Sequence, residues 1–303
     1  IPGPGQFPVP PIERSMSHSA STPRTRRAIR LAAVSAALAT LAVVSTATAH
    51  DFWLIPDMFG FAGNATVHVS GRSGVRFPDG SAVQPTRVAD ARIIGASSTT
   101  TITEMSVEGT ALRLHQKPAA TGQYLVVAAL TPRTTRATPA GLMRYLKAEG
   151  GAGEASRLER ENAFAGMDSV IYSGTSYGAT VFELGTGGPR AFFKSAGFPL
   201  EFVPVNDPAH VHLGDTLHVK VLGAGKPVPN ISVDATPAFD STAAAGMSGA
   251  VSLTTDGSGV LHLPLTKAGP WMLRSAFVAR RPGTANEWDV SRSTYVFTVG
   301  TKH

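Results

Sequence analysis

Histidines are the residues of this chain that could do chemistry, and His50 has the most informative position. It directly follows Ala47-Thr48-Ala49, a small-x-small sequence of the kind that signal peptidase cleaves. Cleavage after Ala49 would give His50 a free α-amino group beside its imidazole, which places two nitrogen donors on one residue. An α-amino pKa of about 8 allows Cu²⁺, Ni²⁺ or Co²⁺ to displace the proton at neutral pH. We therefore predict a metal site at His50, with the carboxylate of Asp51 as a further ligand.

Other histidines could complete this site. His210 and His212 form the sequence "HVH", which places two imidazoles on the same side of an extended segment. His68, His218 and His262 each stand between apolar residues, which indicates the polar face of a strand, where a solvated histidine is the ordinary interpretation. The predicted ligand set is His50, Asp51, His68, His210 and His212.

The identity of the metal, and whether a site exists at all, both stay open at the level of sequence. A nitrogen-rich ligand set suits copper and nickel. His115 is a weaker candidate, because Arg113 lies on the same face of its predicted strand and a guanidinium disfavours a bound cation. In the alternative interpretation, His50 simply follows a cleavage site and the other histidines are solvated surface residues.

Two sequences resemble catalytic motifs but lack the structural context that catalysis requires. "GTSYG", residues 174–178, matches the G-x-S-x-G pattern of serine hydrolases, which needs a strand before the serine and a helix after it. Here "ATVFEL" follows and indicates a strand, so Ser176 is not predicted to be a nucleophile. "GTGGPR", residues 185–190, lacks the lysine and the helix of a phosphate-binding loop and indicates a turn. We predict that the protein is not an enzyme.

The first 49 residues have the features of an upstream extension and a signal peptide. An apolar run at residues 31–44, about 14 residues long, is shorter than the ~20 residues that a membrane-spanning helix needs. Met16 is the predicted start codon, and "TRRAIRL" also resembles a twin-arginine signal, so two export routes stay open. We predict a periplasmic or secreted protein. Four basic residues lie directly before the apolar run, namely Arg24, Arg26, Arg27 and Arg30.

Charge and cysteine content exclude two classes of function. Five of the 27 basic residues and one of the 21 acidic residues precede His50, so the net charge of +6 belongs mostly to the leader. The nearly neutral remainder has no basic stripe for nucleic acid. Without cysteine, a protein in an oxidising compartment has neither disulfides nor thiolate metal ligands. Its stability must come from a packed core.

Alternation of apolar and polar residues dominates the chain after His50 and predicts short strands. Turns rich in Gly, Pro, Asn and Asp separate these strands, which favours antiparallel sandwiches. Trp53, Trp271 and Trp288 are predicted to pack in the core or at its edge. The predicted strands are residues 65–71, 87–94, 122–130, 216–222, 259–265 and 293–299.

One segment has helical spacing instead. Thr138-Pro139 is a suitable N-cap and first turn, and the apolar residues that follow recur at helical spacing until Gly150. A second helix is predicted at residues 154–164. We predict an all-β fold with two antiparallel β-sandwich domains in series, of the immunoglobulin-like or transthyretin-like type, and a short helical hairpin between them. The predicted divisions are residues 50–136, 137–197 and 198–303.

The C-terminal region resembles a known kind of module. Its "GKP", "DGSG" and "AGPW" turns are similar to those that join Greek-key strands in transthyretin-like or carboxypeptidase-regulatory-like modules. Taken with "AHDFWLIPD", "RFPDG" and the helical insertion, nearly the whole chain after the leader resembles the periplasmic family built on domain of unknown function 4198. Members are often described as periplasmic components of nickel or cobalt transport systems. Related sequences often carry Gly-His before Phe-Pro, whereas this chain has "GRSGVRFP", with Arg72 and Arg76.

Two hypotheses follow. In the first, the protein binds nickel, cobalt or copper through His50 and delivers the ion to a metal-uptake transporter, as the resemblance implies. In the second, it is a non-catalytic structural or interaction module of the cell envelope that binds no metal and contacts another envelope protein. Neither hypothesis involves nucleic acid or a transmembrane segment in the mature chain.

Overall fold

Strands make up most of the described chain, which confirms the predicted all-β class. The computed structural model describes residues 50–238 and 250–301, so the predicted leader at residues 1–49 lies outside the described residues. In chain order the strands are β1 (Asp51–Pro56), β2 (Gly60–Phe61), β3 (Val67–Arg76), β4 (Asp79–Ala82), β5 (Val88–Ile94), β6 (Thr99–Thr101), β7 (Met105–Glu108), β8 (Ala111–Gln116), β9 (Gly122–Leu130), β10 (Arg133–Ala137), β11 (Val170–Leu184), β12 (Leu200–Pro204), β13 (Thr216–Gly223), β14 (Lys226–Pro227), β15 (Ser232–Pro237), β16 (Val251–Thr254), β17 (Val260–Pro264), β18 (Gly269–Arg280) and β19 (Glu287–Val299).

The helices are short. They are a 3-10 helix at Pro85–Arg87, α1 (Pro139–Ala148) and α2 (Ala152–Arg160). Within the two described ranges, the length and hydropathy of the helices fall short of what crossing a membrane requires.

A ten-stranded sheet forms the centre of the described fold. Its strand order is β16-β15-β18-β19-β11-β9-β5-β6, and β10 and β2 also pair with β11. β18 and β19 form a long antiparallel hairpin, whereas β11 and β19 run parallel. The sheet therefore joins strands that are far apart along the chain.

Side chains alternate between the two faces of this central sheet, and each face packs against a smaller sheet. Along β9, Leu125 and Val127 point to one face, while Val126 and Ala128 point to the other. The first face packs against the four-stranded sheet of β12, β13, β14 and β17. The second face packs against the five-stranded sheet of β1, β3, β4, β7 and β8. Two sandwich cores thus share one sheet.

α1 and α2 cover another part of the second face. Thr138 caps α1, because its Oγ1 accepts a hydrogen bond from the Gly141 backbone nitrogen at 3.1 Å. Leu146 of α1 and Leu158 of α2 are buried against β18 and β19. The predicted helical hairpin is confirmed, although its second helix begins and ends earlier than residues 154–164.

The central sheet runs across the predicted domain divisions. β5 and β9 belong to the predicted first sandwich, β11 to the connecting region, and β18 and β19 to the predicted second sandwich. We retain the divisions at residues 137 and 198 as a proposal about how the sequence is organised.

Candidate functional site

The N-terminal end of β1 lies on a buried cluster of charged residues. Asp51 is 8% exposed, and its Oδ2 accepts a hydrogen bond from Arg274 Nη1 at 2.9 Å. Arg274 Nη2 also forms an ion pair with Asp234 Oδ2 at 3.0 Å. Burial raises the pKa of Asp51, and the Arg274 guanidinium opposes that rise. The Asp51 carboxylate is therefore already paired with a cation, which competes with any metal.

Arg292 extends this cluster to His50. Its Nη1 donates to Glu149 Oε2 at 2.8 Å and lies 3.4 Å from the backbone oxygen of His50. Burial raises the pKa of Glu149, and Arg292 opposes that rise. Arg292 Nη2 donates to Ser176 Oγ at 2.5 Å. Because Ser176 lies inside β11 and is 5% exposed, its hydroxyl does not stand on the exposed turn of a hydrolase.

His210 and His212, the predicted ligand pair, contact different carboxylates in the segment between β12 and β13. His210 Nδ1 lies 2.9 Å from Asp207 Oδ2, and its Nε2 lies 3.6 Å from Glu183 Oε2. His212 Nδ1 lies 3.7 Å from Asp215 Oδ2, which accepts a hydrogen bond from the His212 backbone nitrogen at 2.8 Å. The two imidazoles therefore contact different carboxylates, Asp207 and Glu183 for His210 and Asp215 for His212.

Four other histidines form two pairs across neighbouring strands. His68 of β3 lies opposite His115 of β8, and His218 of β13 lies opposite His262 of β17. In each pair the two Nδ1 atoms are 2.8 Å apart, and the ring planes are 81° and 80° from parallel, respectively. The apolar neighbours of these histidines point into the two cores, so both pairs lie on the outer faces of the smaller sheets.

A carboxylate holds the outer nitrogen of His262. Asp256 Oδ2 lies 2.9 Å from His262 Nε2. The other oxygen of Asp256, Oδ1, accepts hydrogen bonds from the Ser258 nitrogen and hydroxyl and from the Val260 nitrogen, at 2.8, 2.7 and 3.0 Å. The bond from His262 and these further bonds lower the pKa of Asp256 well below its usual range. Asp256 is therefore ionised at neutral pH.

His115 has more mixed surroundings. Its Nε2 lies 3.3 Å from both Ser106 Oγ and Glu108 Oε1. Arg113, on the same strand, donates to Asp57 and lies 3.7 Å from Glu108 Oε2. This pair is thus flanked by a guanidinium as well as by a carboxylate, as the position of Arg113 in the sequence predicts.

The structure spreads the predicted ligands over several elements. Asp51 is the first residue of β1, whereas His68 lies beside the other end of that strand, where its backbone oxygen accepts a hydrogen bond from Asp57. At the rise of a strand, Asp51 and Asp57 are about 20 Å apart. Across residues 50–238 and 250–301, no group of three or more His, Asp or Glu residues could hold a metal ion.

The histidine pairs and the role of Asp256 were not predictable from the sequence. Alternation along a strand gives the face on which a histidine lies, but not the residue opposite it. The available signal was the "DGSG" turn at residues 256–259, which places a carboxylate shortly before His262.

Comparison with known proteins identifies a family. Residues 47–278, more than half of the chain, match the domain of unknown function DUF4198. No curated protein matches the chain.

Three solved structures have a distant likeness to this chain. The D0-D1 domain of intimin is 13% identical, with 81% of this chain and 97% of that chain covered and a TM-score of 0.20. Trypsin-activated alpha-2-macroglobulin from Escherichia coli is 12% identical, with 82% and 16% covered and a TM-score of 0.21. Murine CEACAM1b is 11% identical, with 84% and 100% covered and a TM-score of 0.20. Similarity at this level carries no information about function.

Proposed function

This chain belongs to the DUF4198 family, and we propose that it is an exported, non-catalytic protein that binds a divalent transition metal through imidazole nitrogens. The observation that carries the proposal is the pairing of histidines. Of the seven histidines in the described ranges, four form two cross-strand pairs with nitrogen atoms 2.8 Å apart.

Paired imidazoles on a strand surface suit this role for a chemical reason. A neutral imidazole is a common ligand for copper, nickel, cobalt and zinc, and it is available at neutral pH without loss of a tightly held proton. The His218–His262 pair is exposed, so a hydrated ion can reach it, whereas the His68–His115 pair is part-buried. The carboxylates of Glu108 and Asp256 lie beside the outer nitrogens of His115 and His262, which is the usual arrangement behind a metal-bound histidine.

The terminal chelate at His50 remains part of the proposal. The His50 backbone lies beside Arg292, at the edge of the buried charged cluster. Because Asp51 is paired with Arg274, a site at His50 would depend on the α-amino and imidazole nitrogens. Delivery of the ion to an uptake transporter is a further part of the proposal, and it follows from the family resemblance rather than from a surface feature.

Metal titration of the processed protein tests this function. Protein exported with its own leader would be stripped with a chelator and titrated with Cu²⁺, Ni²⁺ and Co²⁺ by calorimetry. A version with one extra residue before His50 is the matched control, because it keeps the imidazole but converts the α-amine to an amide. We expect binding of at least one equivalent, with weaker or fewer sites in the extended version. Failure of all three ions to bind the processed protein would favour the metal-free interaction module.

A further inference from the structure

We propose that His218 and His262 form a two-imidazole site for Cu²⁺ or Ni²⁺, with Asp256 as the residue that orients His262. This assignment rests on the proposed metal-binding function and names the site and the ions that it prefers. The pair belongs to the four-stranded sheet and lies on the face opposite the buried residues.

The two strands hold the imidazoles in a fixed relation. Leu217 and Val219 flank His218, Leu261 and Leu263 flank His262, and each of these four is at most 1% exposed. They anchor β13 and β17 in the core, so the histidines occupy directly opposed positions on a rigid surface. A site on paired strands keeps its geometry better than a site on a loop.

Asp256 determines which nitrogen of His262 is available. Its Oδ2 lies 2.9 Å from His262 Nε2, and a carboxylate at that distance accepts the Nε2 proton. The lone pair of His262 is then on Nδ1, which faces His218. The backbone nitrogens of Ser258 and Val260 donate hydrogen bonds to Asp256 and hold its carboxylate in place. Asp256 in turn fixes the orientation of the His262 ring.

The donor atoms favour copper and nickel. Imidazole nitrogens suit Cu²⁺ and Ni²⁺, and Cu²⁺ binds a given site most tightly among the divalent first-row ions. The Nδ1–Nδ1 distance of 2.8 Å is that of a hydrogen bond between the two rings. An ion that binds both nitrogens would replace this hydrogen bond, and water would complete its coordination.

Binding requires one proton to move. Because the Nε2–H of His262 donates to Asp256, the hydrogen bond between the two Nδ1 atoms is donated by His218. A metal ion replaces that proton, which transfers through solvent to Nε2 of His218, so the imidazoles stay neutral and no net proton is released. His262 is exposed, with 53% of its side-chain surface accessible, so water reaches the pair.

The His68–His115 pair is less suited to a cation. Only 25% of the His115 side chain is exposed, and the Arg113 guanidinium is fixed nearby by Asp57 and Ser70. The His218–His262 pair has a cationic neighbour, Lys220, on the same face of β13 and two residues beyond His218. Lys220 does not prevent metal binding, because it is exposed and its long side chain can extend into solvent.

Cu²⁺ titration of matched variants tests the assignment. The full processed chain carrying His50→Ala, which removes the terminal imidazole, would serve as the background. Affinity would be measured by calorimetry and nitrogen ligation by electron paramagnetic resonance. We expect His218→Ala and His262→Ala each to weaken Cu²⁺ binding at least 100-fold and to remove the two-nitrogen signal. Asp256→Asn should weaken it about 10- to 100-fold, and His68→Ala should leave it within about twofold.

The outcomes separate this assignment from the proposed function. If the background protein binds Cu²⁺ and His68→Ala removes the site while His218→Ala does not, the site is at the other pair and metal binding stands. If Zn²⁺ binds the pair more tightly than Cu²⁺ and Ni²⁺, the assignment to those two ions is wrong. If the processed protein with an intact His50 binds no metal, both proposals fail. Circular dichroism would verify that the variants fold, which exposed His→Ala changes should permit.

Discussion

The Arg274 guanidinium lies between the carboxylates of Asp51 and Asp234, near the start of β1. Its ion pair with Asp51 competes with any other cation for that carboxylate. The side chains of Arg274 and Asp51 are only 12% and 7% exposed, and their ion pair is 2.9 Å long. The position of Asp51 in the sequence, next to His50, suggested a metal ligand. In the fold this carboxylate also joins β1 to β18, a contact between residues 223 positions apart that local sequence does not reveal.

Removal of Arg274 should therefore destabilise the protein. Arg274→Ala would leave Asp51 and Asp234 buried without their cation, and loss of one partner of a buried ion pair costs about 3–5 kcal/mol. Arg76→Ala is the matched control, because the Arg76–Asp79 pair is mostly exposed and should contribute less than about 1 kcal/mol. Urea unfolding followed by circular dichroism would measure both changes. Equal effects of the two substitutions would show that the Arg274 cluster contributes no more than a surface pair.

Strands and helices were predictable where the local pattern determines them. β9 occupies residues 122–130 as predicted, and the Thr138 cap lies where the N-cap signal placed it. Register was not predictable, because β13 and β17 meet only after the chain has passed through β14, β15 and β16. The histidine pairs depend on that register, so they became visible only in the folded structure.

The contact between α2 and β15 gives a prediction at the level of elements. A Cβ atom on Gly153 would lie 2.5 Å from Ser232 Oγ and 3.0 Å from the Ser232 backbone nitrogen, so the helix would have to move away from the strand. Although alanine favours a helix, we expect Gly153→Ala to lower the free energy of unfolding by about 1–2 kcal/mol.

Gly60→Ala is the control for this substitution, since a Cβ atom there would meet nothing within 4 Å. It should change the free energy of unfolding by less than about 0.5 kcal/mol. Thermal unfolding would give both values. A Gly153→Ala protein as stable as the parent would mean that α2 is not packed tightly against β15.

At the scale of the whole molecule, the central sheet links the two sandwich cores. β19 pairs with β11 from Ile171↔Glu287 to Thr180↔Val296, and alternate residues of both strands enter cores on opposite faces. Separate unfolding of the region after residue 198 would remove β18 and β19. The apolar faces of α1 and α2 that pack on these strands would then be exposed. That exposed surface makes a half-folded state costly.

We therefore expect the described fold to unfold as one cooperative unit. The three tryptophans report on different places, since Trp271 packs in the core with the four-stranded sheet, Trp288 packs with the helices and Trp53 packs near Phe77. Each of three variants would keep one tryptophan and replace the other two with phenylalanine. In each variant, urea unfolding by fluorescence and by circular dichroism should have the same midpoint, which is the test for a two-state transition. A two-step transition in which the Trp271 midpoint differs from the circular dichroism midpoint would contradict this expectation. It would support two independent sandwiches divided near residue 198, with a shared sheet too weak to couple them.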